Sequence, residues 1–192
     1  PTKGQYEAEV AKANQQWEPL YARFASMKPE EIAADAQAMA IGERLFMNNC
    51  SQCHGSDARG SKGFPNLTDG DWLYGGTPEI IHETLTKGRI GVMPPMAEAV
   101  GSAEDVRNLA QYVLSLSGSP HDSVRASLGK EKFAACAACH GADGKGIQAM
   151  GAPNLTDDIW LHGWGEAAII ERINKVMTNQ MPAQAGRLTE AQ

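Results

Sequence analysis

The sequence predicts an all-α fold, with a helical arm leading into two tandem helical domains. Three observations predict it. Cys-x-x-Cys-His occurs twice, as Cys50–His54 and Cys136–His140, and the two copies use all 4 cysteines of the 192-residue chain. Each copy sits inside a longer internal repeat, the mark of a duplicated unit. Within the repeats, small, apolar and aromatic residues pair three or four positions apart, on one helix face, and no parallel-strand pattern occurs.

The arm occupies residues 1–37. "YEAEVAKANQQWEPLYARF" reads as a charged helix broken at Pro19, and "MKPEEIAADAQAMAIGERLF" leads into the first domain, 38–118. In that domain helices are expected at about 37–52, 78–87 and 103–117. "SAEDV" starts the third, with Ser102 as N-cap and Asp105 at the capping-box position. Gly42 and Phe46 share one face of the first helix, and Leu109 and Tyr112 share one face of the third. A glycine lets another helix cross closely, and the aromatics can lock that crossing. A linker is expected at 119–127, then a second domain at 128–192.

Hydrophobic content of 42% and charge of 21% are those of an ordinary globular chain. No run approaches the ~18 apolar residues of a membrane span. Pro1–Lys12 is polar, so any anchor or export signal is expected before Pro1. The net charge of −6 divides into 4 basic and 6 acidic residues over 1–37, 6 and 9 over 38–118, and 7 and 8 over 119–192. No basic patch suggests nucleic acid. The acidic balance fits steering of a basic partner or simple solubility.

Four cysteine chemistries compete and lose. A disulfide framework would not explain a histidine after each second cysteine. Zinc knuckles prefer pairs about 15–20 residues apart, an iron–sulfur cluster needs four nearby thiolates, and a redox Cys-x-x-Cys needs a βαβ context. The fifth residue decides, since Cys-x-x-Cys-His is the attachment signature of c-type haem. The two sulfurs form thioethers with the haem vinyl groups, and the histidine lies under the iron. Two haems c are therefore expected, on Cys50, Cys53 and His54 and on Cys136, Cys139 and His140.

The repeat extends beyond these motifs. Asp57, Arg59 and Gly60 map onto Asp143, Lys145 and Gly146 at the same offset of 86, and after two inserted residues the offset is 88. "PNLTD" at Pro65–Asp69 then matches "PNLTD" at Pro153–Asp157, Trp72 matches Trp160, and Met93-Pro94 matches Met181-Pro182. Met93 and Met181 are the expected sixth ligands, each before a proline in a loop, because a thioether raises the potential and suits electron transfer. Met96 and Met177 are weaker candidates, since the counterpart of Met96 is Gln184 and Met177 falls in the expected helix Glu166–Thr178. Met39, Met47 and Met177 are expected to be core fillers. The carbonyls of Pro65 and Pro153 are natural acceptors for the second ring nitrogen of each histidine, although a proline there also suits a plain turn. Trp72, Tyr74 and Trp160 suit either a haem wall with its propionates or plain core. Arg59 and Lys145 suit propionate pairing or a solvated surface equally. His82, His121 and His162 have no histidine counterparts and are expected in surface or packing roles.

Gly-x-x-x-Phe, Cys-x-x-Cys-His, Pro-Asn-Leu, Met-Pro and Leu-x-x-Tyr thus occur in order over 38–118, and this stretch resembles class I cytochrome c. The resemblance implies an all-α domain wrapping one haem with an exposed edge. The second copy is less complete. Gly129 and Phe133 match the first helix, but at an offset of 88 Leu109 and Tyr112 would recur at 197 and 200, past Gln192. "RLTEAQ" reads as the start of that closing helix, so the parent protein is expected to continue. As it stands, the second domain is expected to lack a packing partner.

The arm, followed by two such domains with "RGSKGFPNLTDGDWLYGG" and "IGVMPPM", is similar to the di-haem c-type subunit family of cbb3-type cytochrome c oxidases (CcoP/FixP). That resemblance covers essentially the whole chain. It implies a transmembrane anchor before the arm and a place on the periplasmic side of a bacterial inner membrane. It also implies electron relay from soluble c-type cytochrome donors to a mono-haem c subunit and the catalytic subunit, with no bond chemistry in this chain. Two rivals remain. One is a free di-haem shuttle of the cytochrome c4 kind, for which the arm is superfluous. The other is a di-haem peroxidase or sulfur-compound dehydrogenase, which needs an open iron site and is disfavoured by Met-Pro in both copies.

Overall fold

The computed structural model describes residues 2–189 and 192. The helices are α1 (Lys3–Ala25), α2 (Pro29–Ala34), α3 (Ala36–Asn49), α4 (Ser51–His54), α5 (Pro78–Lys87), α6 (Ala97–Val100), α7 (Ala103–Leu116), α8 (Ser123–Gly129), α9 (Ala137–His140) and α10 (Glu166–Asn174). Short 3-10 turns lie at Glu131–Ala135 and Gln148–Met150, and among the described residues there are two strands, β1 (Arg89–Met93) and β2 (Met177–Met181). Among the described residues no helix is long and apolar enough to cross a membrane. The chain forms two compact units. One holds the chain up to Gln52 together with the chain from Gln184, and the other holds Cys53–Ala183. These units cut across the repeat boundaries.

In the first unit, Thr2 and Gln5 close a capping box on α1. The helix then runs unbroken through Pro19. The expected break is absent because proline withholds only one backbone donor, and the residues on both sides are good helix formers. Most of α1 is exposed, but Phe24 is buried with Ala38 and Ile41 of α3, and Leu20, Tyr21, Met27, Ile32 and Leu45 pack around them. Asp35 caps α3 through Gln37 N–H and Ala38 N–H, both at 2.9 Å. The Ala38 N–H, the Arg23 guanidinium (3.1 Å away) and the Gln37 N–H hold its carboxyl below the usual range. The arm therefore docks on α3 through its second half. Met39 and Met47 lie exposed, at 54% and 44%, and are not core fillers. Their faces of α3 point away from the cluster formed by Ala38 and Ile41. The expected helix start in "RLTEAQ" includes Glu190 and Ala191, which lie outside the described residues.

The core of the second unit is built on α7. Leu109 and Ala110 are fully buried, with Val106, Val113 and Leu114 beside them and Phe133, Ile169 and Ile173 packed against them. Ser102 and Asp105 cap α7 as the spacing predicts: Asp105 N–H donates to Ser102 Oγ at 3.1 Å, and Ser102 N–H donates to Asp105 Oδ2 at 2.9 Å. A close crossing of the kind expected at a Gly-x-x-x-Phe stretch forms at Gly129. A Cβ on Gly129 would lie 2.1 Å from the Asn108 carbonyl oxygen. Tyr112 packs edge-on against Phe133, with ring centroids 5.4 Å apart. The second repeat does not lack a partner, because α7 supplies one. α7 reaches the Gly129–Phe133 stretch through the short 117–122 connection, whose closure cost is small. The expected linker is correspondingly shorter, since Asp122 already caps α8.

The all-α expectation needs one correction. β1 and β2 form a two-stranded antiparallel sheet, in register from Arg89↔Met181 through Gly91↔Asn179 to Met93↔Met177. Met93 and Met181 are therefore strand ends and not loop residues, and α10 stops at Asn174 short of Met177. Val176 and Thr178 are β-branched and favour extended backbone. The ladder also satisfies backbone groups that a further helical turn would have used. Each strand is too short to stand alone. It forms because its own counterpart in the other repeat pairs with it, Gly91 facing Asn179 at the centre.

Candidate haem sites

Both Cys-x-x-Cys-His motifs form a short helical turn ended by a glycine. In the second repeat, His140 N–H donates to Cys136 O at 2.9 Å and Gly141 N–H to Ala137 O at 2.9 Å. Gly141 then takes φ +77°, and its counterpart Gly55 takes φ +80°. The following loops are built alike. Gly60 N–H donates to His54 O at 2.7 Å and Gly146 N–H to His140 O at 2.8 Å. Asp57 and Asp143 turn the loop by accepting from Arg59 N–H and Lys145 N–H, at 3.1 and 3.2 Å. Asn66 and Asn154 accept from Thr68 N–H and Thr156 N–H, both at 2.9 Å.

These loops carry a carbonyl to each histidine. His54 Nδ1 lies 3.0 Å from Pro65 O, and His140 Nδ1 lies 3.0 Å from Pro153 O. A carbonyl only accepts, so Nδ1 carries the proton, and in the neutral ring Nε2 keeps its lone pair. Both rings are buried, at 7% and 8% exposure, and Phe64 packs edge-on against His54 with centroids 6.4 Å apart. Burial pushes the His140 pKa down against the opposing pull of the Pro153 bond, so the neutral, ligating form is favoured. Cys50 and Cys136 are half-buried, Cys53 and Cys139 are exposed, and the four form no disulfide. Burial, and then the neighbouring Cys139, push the Cys136 thiol up. Two thiols and a buried histidine with a free Nε2, on one helical turn, are the donor set that haem c takes. The residues present fit that group.

Met93 and Met181 are half-buried at the ends of β1 and β2. Alternation puts Arg89, Gly91 and Met93 on one sheet face, with Met177, Asn179 and Met181 opposite them, while Ile90 and Val92 are exposed on the other. The sheet thus aligns Met93 with Met177.

The remaining candidates are brought together crosswise between the repeats. Arg59, Lys62 and Phe64 line a cavity of about 380 Å3 with Trp160 and Leu161. Lys145, Gln148 and Pro153 line a smaller one, about 180 Å3, with Trp72 and Leu73. Each tryptophan therefore faces the loop behind the other repeat's histidine. Gly63 N–H donates to Leu161 O at 2.8 Å, and Gln148 Nε2 donates to Trp72 O at 3.0 Å. The Tyr74 ring lies 4.9 Å under the Arg89 guanidinium and against Gly151, where a Cβ would come within 2.3 Å of it. Arg59 is exposed beside Asp57. Arg89 and Arg172 occupy different positions in the two repeats, Arg89 matching Met177 and Arg172 matching Thr84, so the offset does not pair them.

A sequence profile of the family described as "Cytochrome C oxidase, cbb3-type, subunit III" matches residues 37–113 and 126–192, each stretch carrying one Cys-x-x-Cys-His. The chain is 66% identical over 189 residues to the cbb3-type cytochrome c oxidase subunit CcoP of Rubrivivax gelatinosus, covering 98% of this chain and 62% of that protein. It is 43% identical over 180 residues to the cbb3-type cytochrome c oxidase subunit FixP of Rhizobium meliloti, covering 86% and 62%. It is 43% identical over 175 residues to the CcoP subunit of Cereibacter sphaeroides, covering 83% and 60%. The chain thus spans 60–62% of the length of these relatives.

Proposed function

Because the chain belongs to the family of cbb3-type cytochrome c oxidase subunit III, we propose that it binds two haems c and relays single electrons within such an oxidase. The donors are soluble c-type cytochromes on the periplasmic side. The acceptors are the mono-haem c subunit and, through it, the catalytic subunit. The parent protein is held to the membrane by an anchor ahead of the arm. The observation that carries this reading is the pair of matching contacts, His54 Nδ1 to Pro65 O and His140 Nδ1 to Pro153 O, each behind its own Cys-x-x-Cys turn.

Haem c supplies a one-electron iron couple when bound. The chain's own residues do the rest. Cys50 with Cys53, and Cys136 with Cys139, would each hold one haem through two thioethers, so that it could not dissociate in either oxidation state. The Pro65 and Pro153 carbonyls fix the tautomer and plane of each histidine, which keeps the ligand in place as charge changes. Met93 and Met181, half-buried at the ends of β1 and β2, would supply the thioether ligands. Side-chain ligands on both sides of each iron would leave no vacancy for a substrate, which suits electron transfer.

Expression with a c-type cytochrome maturation system should give two haems per chain by pyridine haemochrome and intact mass. Replacing both cysteines of one motif, Cys50→Ser with Cys53→Ser or Cys136→Ser with Cys139→Ser, should leave one haem that acidified acetone does not extract. A mass showing bare thiols, or a single haem in the wild type, would end the proposal. Oxidised wild type should show the far-red sulfur-to-iron band, and a Met93→His, Met181→His double variant should lack it.

A further inference from the structure

The two repeats differ at one junction in a way that keeps a charge. At the turn from helix to strand the first repeat has Glu83, Thr84 and Arg89, with Tyr74 packed alongside. At the offset of 88 their counterparts are Glu171, Arg172, Met177 and His162. In the first repeat, Arg89 Nε donates to Thr84 Oγ1 at 3.0 Å, Nη1 lies 3.4 Å from Glu83 Oε1, and the guanidinium covers the Tyr74 ring. In the second, the arginine has moved to the position of Thr84. Arg172 Nη1 donates to Met177 Sδ at 3.3 Å, and Nη2 lies 3.5 Å from Glu171 Oε2. His162, the counterpart of Tyr74, is held below the usual histidine range by burial and then by the Arg172 and Lys62 charges. The guanidinium thus meets counterparts of the same residues, reached from the other side of the junction. Packing alone does not require this, since threonine, methionine and arginine differ in size and shape. What the exchange keeps is the planar cation.

That cation has donor capacity left over. Arg172 Nε is buried and has no hydrogen-bond partner among the described residues. A thioether is a weak acceptor, and Glu171 is shared with Lys175, whose Nζ lies 3.2 Å away. With Lys62 and His162 also near, the surroundings are short of negative charge. A guanidinium fork matches a carboxylate better than any other common group.

We propose that Arg172 and Arg89 are equivalent carboxylate receptors, one per repeat, each holding a propionate of a haem c. The proposal rests on the haem reading above and deepens it. Each cation keeps its propionate ionised through the redox cycle and favours the reduced form of the iron beside it.

The test is a spectroelectrochemical titration of the holoprotein between about pH 5 and about pH 9, after two haems per chain have been confirmed by mass. A shortfall at that first step counts against the haem reading itself. With both haems present, Arg172→Gln should lower the midpoint of one of the two waves and make that wave more pH-dependent, because a propionate freed from its cation takes up a proton on reduction. Arg89→Gln should do the same to the other wave. Arg172→Thr should behave like Arg172→Gln. Combining it with Met177→Arg, which rebuilds the first repeat's arrangement, should restore the wild-type midpoint and pH profile. Unchanged waves in Arg172→Gln, or both arginine variants moving the same wave, would overturn the proposal. So would a wild-type midpoint that follows added inorganic phosphate while that of Arg172→Gln does not, since the anion would then be a free ion. Where Arg172→Gln does not hold two haems, the Arg172→Thr, Met177→Arg variant decides: wild-type waves support the proposal and an altered wave overturns it.

Discussion

Gly60 and Gly146 set the distance between each histidine and its carbonyl. Both take positive φ, +71° and +78°. A Cβ on Gly60 would lie 2.3 Å from Phe64 O, and one on Gly146 would lie 2.4 Å from Ala152 O. Those carbonyls directly precede Pro65 and Pro153, so any shift there moves the histidine's acceptor. Gly60→Ala and Gly146→Ala are expected to cost about 1–3 kcal/mol in chemical denaturation. Gly70→Ala, where a Cβ meets nothing within 4 Å, should stay within about 0.5 kcal/mol. These glycines could be marked from the repeat, because they follow the motif at the same distance in both copies. The exposure of Met39 and Met47 could not, since helical spacing says that residues share a face but not which face is covered.

At the scale of elements, α7 is the best defined. Its boundaries and capping box follow from "SAEDV", because a cap is a contact between residues three apart. Asp105 is held down to about 2, first by the Ser102 N–H, then by Lys132 and the Ser102 hydroxyl. Lys132 Nζ lies 3.0 Å from Asp105 Oδ1, so the same carboxylate ties α7 to the turn carrying Phe133. Its folded pKa lies below the ordinary aspartate value. Its contribution is therefore present above that value and is lost as pH falls towards about 2. Melting temperature measured along the acid limb should fall less steeply in Asp105→Asn, and the two proteins should converge near the bottom of that range. Ser102→Ala should cost about 1 kcal/mol at neutral pH. By contrast β1 and β2 were illegible as strands. Five residues with mixed chemistry have no decisive period, and their partner lies far along the chain.

The pairing of α7 is a property of the whole molecule and can be tested by comparing two equivalent glycines. Gly129→Ala places a methyl group against the Asn108 carbonyl and should destabilise by about 1–3 kcal/mol in thermal unfolding. Gly42→Ala, with open space around it in the middle of α3, should stabilise by about 0.5–1 kcal/mol. The sequence by itself determined what lies within one turn or one loop: the spacing of cysteines, histidine and proline carbonyl, the cap of α7, and the likeness of the two repeats. Only the tertiary structure decided that α7 crosses Gly129, that the two methionine segments pair as strands, and that one guanidinium stands at each helix–strand junction. The reason is duplication. Each element of a repeated chain has two chemically equal partners, and periodicity cannot choose between them. Connection length, burial and hydrogen-bond satisfaction make that choice, and they act only once the chain is folded.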